Sequence, residues 1–116
     1  MACMSPAKVI DALIHAHDLP AAAFGMSRSL LLTGISVSAG EMAAAVDRQR
    51  GNRNIGSIHW GADPAIQKIV NGWPKATRSV RADALGFAKD ESLDEMVRGF
   101  IRDDLDNQLK LYDAGA

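Results

Sequence analysis

Apolar residues recur at helical spacing in the first part of the chain. Val9, Ile10, Leu13, Ile14 and His17 fall on one face of a helix. Ser5 stands where an N-cap belongs, and Pro6 takes the first helical position, where its missing N–H costs nothing. Asp18, Leu19 and Pro20 end the helix, and residues 21–27 read as a loop with an exposed Phe24-Gly25. The pattern then changes. Ser29 to Thr33 is a short apolar run without polar alternation, closed by Gly34, which reads as a strand covered on both faces. Ser38-Ala39-Gly40-Glu41 matches the capping box, in which serine and glutamate reciprocally satisfy free backbone donors. The helix it opens turns Met42, Ala45 and Val46 inward and stops at Gly51. Ile58 to Trp60 forms a second apolar strand, and about 20 residues between the two strands suffice for a parallel crossover.

The stretch from Ser57 to Phe87 holds both tryptophans and dense start and stop signals. Asp63-Pro64 opens a helix that Gly72 closes, Trp73-Pro74 imposes an extended turn, and a second helix ends at Leu85-Gly86-Phe87. Ser92-Leu93-Asp94-Glu95 repeats the capping box and opens the longest helix, through about Tyr112. Its stripe is Leu93, Met96, Val97, Phe100, Ile101, Leu105, Leu109 and Tyr112, with most charges off it, so this helix lies on something. The expected fold class is α+β: one lobe over residues 1–116, four to five helices around a small two-stranded parallel sheet. No internal repeat or low-complexity segment appears.

Composition narrows the function classes. Apolar residues at 47% and charged residues at 23% are ordinary globular values and argue against disorder. A chain of 116 residues is at most one domain and buries roughly two thirds of its unfolded surface. The net charge of −1 supplies no field to gather nucleic acid or an anionic membrane, and neither is expected as a partner. Cys3 is the sole cysteine, which excludes an internal disulfide and suits a reducing compartment. No apolar run approaches the roughly 18 residues of a membrane span, and Lys8 and Asp11 interrupt any secretory-signal pattern. A cytoplasmic location is the expectation.

The search for chemistry returns mostly structural readings. Gly51-Asn52-Arg53-Asn54-Ile55-Gly56-Ser57 lacks the lysine and hydroxyl pair of a phosphate loop, and no Gly-x-Gly-x-x-Gly occurs. His15 and His17 sit two apart on a helix, so their rings diverge and cannot share a metal; hydrogen-bonded, partly buried histidine is the expectation. Arg48, Arg50 and Arg53 surround the end of the second helix, where cations complement its carbonyls, although the same cluster suits an anion. Asp63 is either the N-cap of the helix it precedes or an acceptor for a substrate hydroxyl. Trp60 and Trp73 flank rigid turns and suit either a pocket wall or the core. Nothing beside Cys3 would activate it as a nucleophile, and no Gly-x-Ser-x-Gly is present. No catalytic residue, metal ligand or cofactor-binding residue is assigned.

Several segments nonetheless resemble extended short-chain dehydrogenases/reductases of the NAD-dependent epimerase/dehydratase family. The run from Thr33-Gly34 through Ile35-Ser36-Val37-Ser38-Ala39-Gly40-Glu41-Met42 is similar to the segment after a late strand of those enzymes. Arg78 to Phe87, followed by Ser92 to Ile101, is similar to their Ala-x-x-x-Leu-Gly-aromatic turn and closing helix. Trp60-Gly61-Ala62-Asp63-Pro64 and Gly72-Trp73-Pro74 resemble the sugar-acid branch, the D-erythronate dehydrogenase-like proteins, and Ser5-Pro6-Ala7 through His17 fits that branch too. The resemblance runs from about Ser5 to Ile101.

The resemblance implies the C-terminal, substrate-binding lobe of such an enzyme. The N-terminal Rossmann half, which binds NAD or NADP and carries Tyr-x-x-x-Lys, has no counterpart here: Tyr112 is followed at the fourth position by Ala116. Without that pair and a pyrophosphate cradle the lobe is expected not to transfer hydride alone. Trp60-Gly61-Ala62-Asp63 lacks the arginine that nucleotide-sugar members place before Gly-Asp, which favours a small sugar acid as substrate. Trp60, Asp63 and Trp73 become the pocket-wall residues, and the expected partner is a Rossmann half in cis or in trans. The rival expectation is a non-enzymatic module that buries its apolar stripe by self-association into an oligomer.

Overall fold

A computed structural model describes residues 1–115. It contains six α-helices among the described residues: α1 (Pro6–Asp18), α2 (Ala39–Gln49), α3 (Pro64–Asn71), α4 (Val80–Ala84), α5 (Leu93–Asp103) and α6 (Leu105–Gly115). A short 3₁₀ turn covers Ala21–Phe24, and two strands, β1 (Ala2–Cys3) and β2 (Ile35–Ser36), pair with each other.

Helix starts follow local capping chemistry. Ser5 accepts the Lys8 N–H at 3.2 Å, with Pro6 behind it. Ser38 and Glu41 form the full capping box: Glu41 N–H donates to Ser38 Oγ at 3.1 Å, and Ser38 N–H to Glu41 Oε2 at 2.7 Å. Ser92 makes only the forward half, accepting from Glu95 N–H at 3.2 Å. Ser79 caps α4 through Ala82 N–H at 3.1 Å. The end of α4 is a Schellman turn. Gly86 N–H donates to Asp83 O at 3.2 Å and Phe87 N–H to Ala82 O at 3.1 Å, with Gly86 at φ 81°, where a Cβ is unfavourable.

The sheet differs from the expected one. β1 and β2 are antiparallel, Ala2 opposite Ser36 and Cys3 opposite Ile35, and neither the 29–33 run nor Ile58–Trp60 is a strand. A parallel pair survives only with both faces covered. Here residues 51–60 are all exposed, so no layer shields a ladder there. The segment after Thr33 instead bonds elsewhere: Gly34 N–H donates to both Thr77 O (3.2 Å) and Thr77 Oγ1 (3.1 Å). Gly34 also passes so close to Cys3 that a Cβ would stand 2.8 Å from its carbonyl oxygen. The N-terminal ammonium closes the edge on Val37 O at 2.7 Å.

Two further expectations change. The long closing helix breaks at Asp104 (φ −125°, ψ −29°), so six α-helices form where four to five were expected. The run Asp103-Asp104-Leu105-Asp106 explains the break, because aspartate side chains compete with the helical backbone for its own hydrogen bonds. Phe24 is not a bare loop residue; it packs on the main apolar cluster of Ala12, Ala82 and Phe87 with Ala16, Leu19, Leu30, Leu32 and Leu85. That cluster takes the Ala12–Ala16–Leu19 side of α1. The stripe of Val9, Ile10, Leu13 and Ile14 lies beside that side and is exposed.

A second packing unit sits apart from the first. α5 lies against α2, where Ala45 is fully buried, and Arg48 of α2 binds Asp94 of α5 (Nη2 to Oδ1, 3.0 Å). The resulting molecule is open. Its radius of gyration is 17.4 Å, whereas a compact chain of this length has about 13 Å. Its accessible surface is 8784 Å², against about 6,100 Å² for a compact monomer of the same mass.

Candidate functional site

The three pocket residues named from the sequence occupy three neighbouring concavities of the 39–75 region. Asp63 caps α3: its Oδ1 accepts the Ala65 N–H at 3.0 Å and the Ile66 N–H at 3.2 Å. One carboxylate oxygen is thereby engaged by the helix it starts, and the side chain stays exposed. Trp60 is 68% exposed and lines a cavity of about 420 Å³ with Val46, Asp47, Arg50, Ile55 and Ile58. Trp73 is 52% exposed and faces a different concavity, beside Ser36, Val37, Gln67, Val70 and Lys75. The indoles therefore do not share a wall. Asp63 and Trp73 border separate concavities that have Gln67 and Val70 in common.

Neither tryptophan is in the core. The extended path of residues 54–62 carries Ile55, Ile58 and Trp60 past α2 with no cover on the outer side. Arg50 was read from the sequence only as part of a helix-end cluster, yet it lines the Trp60 cavity. The cluster also does what its position suggested: Arg53 Nη1 donates to Arg50 O at 3.2 Å, satisfying a terminal carbonyl of α2. Arg50 approaches Asp47 at 3.7 Å and donates to Arg53 O at 3.3 Å. An arginine and a tryptophan lining one open cavity of this size offer an anion contact and an apolar wall together. Only tertiary placement reveals that shared lining, since nine residues of irregular chain lie between them.

The histidines diverge as their spacing requires. His15 turns inward, its Nε2 donating to Leu85 O at 2.7 Å and its ring meeting Phe87 edge-on with centroids 4.7 Å apart. His17 points outward and contacts Asp18 at 3.1 Å. His59 meets Ser57 Oγ at 3.2 Å on the exposed 54–62 path. Among the described residues, no group of three or more histidine, cysteine, aspartate and glutamate side chains is placed to hold a metal ion.

A dinucleotide needs an uncovered helix N-terminus for its pyrophosphate. The N-termini here carry acids instead: Glu41 on α2, Asp63 on α3, and Asp94 with Glu95 on α5. Ser38 N–H is donated to Glu41, which holds that carboxyl below its usual range. At α1 the Ser5 N–H is already given to the buried Asp90 at 2.7 Å. These ends do not fit a pyrophosphate. Cys3 is likewise poorly suited to attack: burial pushes its thiol up, and the nearby Asp90 carboxylate adds to the effect, partly offset by the N-terminal ammonium. No helix is long and apolar enough to cross a membrane among the described residues.

Comparison with known proteins returns the resemblance read from the sequence. The chain is 35% identical over 100 residues to a D-erythronate dehydrogenase of Cupriavidus necator, a match covering 86% of this chain and 31% of that protein. It is 30% identical over 101 residues to a D-erythronate dehydrogenase of Haemophilus influenzae, covering 87% of this chain and 32% of the relative. The chain thus spans about a third of the length of these curated relatives. No protein-family model matches. No solved structure matches either.

Proposed function

We propose that this chain is the substrate-side lobe of an NAD(P)-dependent sugar-acid dehydrogenase, unable to turn over alone. The observation that carries the reading is similarity along nearly all of this chain to about a third of two D-erythronate dehydrogenases. In the proposal a Rossmann half, in cis or in trans, brings NAD or NADP and the proton-transfer groups. The lobe supplies a wall over a small hydroxy acid in a cytoplasmic setting. Trp60 provides an apolar surface for the sugar-acid carbons, Arg50 a cation for the carboxylate, and Asp63 and Trp73 the adjoining rim. Arg50 and Trp60 lining one cavity supports that division of labour.

The test supplies the missing part. The matched hundred residues of the Cupriavidus necator enzyme are replaced by this chain, and D-erythronate-dependent reduction of NAD and NADP is followed. Turnover by the chimera but not by the chain alone supports the reading. Trp60→Ala and Arg50→Ala should then raise KM more than they lower kcat. Turnover by the isolated chain, or a folded chimera that binds cofactor without touching any sugar acid, sinks it.

A second reading has its own observation. Leu109, Leu111 and Tyr112 of α6 are exposed along with the α1 stripe, as a self-associating module would require. That reading expects a stable dimer or larger oligomer of the isolated chain by light scattering.

A further inference from the structure

Helix α1 carries an apolar arc far wider than its one packed neighbour covers. Ala12, Ala16 and Leu19 pack on the cluster with Ala82 and Phe87. In the adjoining sector, which begins about 20° from Ala16, Val9, Ile10, Leu13 and Ile14 are 41%, 56%, 68% and 56% exposed. At 100° per residue these four and His17 occupy one continuous sector, bordered by Asp11 and Asp18 on one side and by Ala16 on the other. A helix packed on one neighbour needs an apolar stripe little wider than about 100°, whereas an arc of roughly 220° suits a helix covered by two layers. Only one layer is present.

We infer that the Val9–Ile10–Leu13–Ile14 face of α1 is the docking surface for the polypeptide that, in a longer protein, corresponds to the two thirds of the relatives this chain does not match. The inference rests on the proposed function and identifies where its partner half sits. One observation favours this occupant over a second copy, and two more show that there is room for an extensive contact. The relatives are about three times the matched length, so ample chain exists to form the second layer. The surface exceeds that of a compact monomer of this mass by roughly 2,700 Å². A standard interface takes only about 800 Å² from each partner, so the excess leaves room for an extensive contact. Finally, the four aliphatics lie on the helix beside the Phe87 cluster, so a layer added there would extend the existing core.

The inference is tested by cysteine accessibility. Leu13→Cys and Met26→Cys are each introduced into the isolated chain and into the chimera with the Cupriavidus necator remainder, and maleimide labelling is timed, native Cys3 being subtracted. Both positions should label quickly in the isolated, monomeric chain. In the chimera Leu13→Cys should slow at least tenfold while Met26→Cys, in the exposed loop before residue 29, stays fast. Equal Leu13→Cys labelling in both overturns the inference, even if the chimera turns over sugar acid. Slowed labelling in an inactive chimera keeps the docking face and removes the proposed function. Protection in the isolated chain together with a dimeric mass makes a second copy the occupant and overturns the inference. An independent check needs no chimera: Ile10→Glu and Leu13→Glu should leave the melting temperature of the isolated chain unchanged. A clear drop would mean the face is already packed and would also overturn it.

Discussion

His15 Nε2 sits 2.7 Å from the carbonyl oxygen of Leu85, so a side chain in α1 completes the C-terminal cap of α4. The same ring meets Phe87 at 88°, edge to face, and Phe87 is the residue whose N–H closes the Schellman turn. One imidazole therefore ties a local turn to the main apolar cluster.

Removing that ring should be felt as lost tertiary stability. His15→Ala is expected to cost about 1–3 kcal/mol, combining one hydrogen bond with one aromatic edge contact. Gly86→Ala should cost about 1–2 kcal/mol for a different reason, the positive φ. An added Cβ would lie 3.6 Å from His15 Nε2, an ordinary contact, so backbone strain and not collision sets the cost. In urea unfolding the Gly86→Ala penalty should persist in a His15→Ala background. If it disappears there, collision was the cause.

The capping box of α2 carries a pH signature. Glu41 is held below its ordinary value of 4.5, chiefly by the backbone N–H of Ser38 and then by the Ser38 side chain. A carboxyl lowered in the folded state contributes stability that is complete above that ordinary value and is lost as pH falls through the folded one. Wild type should melt above Glu41→Ala at neutral pH, and the gap should close in acid. A gap constant from neutral pH to well below 4.5 would show the carboxylate contributes nothing there.

Cys3 gives a chemical readout of the N-terminal fold. Its thiol is raised first by burial and second by Asp90, so iodoacetamide should modify it several-fold more slowly at neutral pH than an unstructured peptide thiol. Asp90→Asn should move the midpoint of the pH–rate curve down while retaining an acceptor for Ser5 N–H. An unchanged midpoint would remove Asp90 from the account.

The sequence was most legible where hydrogen bonding is local. Ser5, Ser38, Asp63 and Ser92 each satisfy donors within three residues, and each is the cap its spacing announced. Legibility failed where two distant segments had to agree. The run at 29–33 looked like a strand for want of polar alternation, but a strand needs a neighbour, and Ile58–Trp60 lies uncovered elsewhere. Trp60 and Trp73 flank rigid turns and from spacing alone suit either a pocket wall or the core; α3 between them sends them to different concavities. Arg50 was overlooked for the Trp60 cavity because its role at the helix end already accounted for it.

What the residues fixed unaided is where α1, α2, α3 and α5 begin and the absence of a glycine fingerprint and a tyrosine–lysine pair, since caps and motifs act over a few positions. What tertiary structure decided is orientation. Periodicity put Val9, Ile10, Leu13 and Ile14 on one side of a helix but was silent about whether that side faces the core of this chain. The smaller face of Ala12 and Ala16 took the core because Ala82 and Phe87 fit closely against it, leaving the larger face bare. Burial depends on which surfaces are available to meet, and no spacing along one segment encodes that.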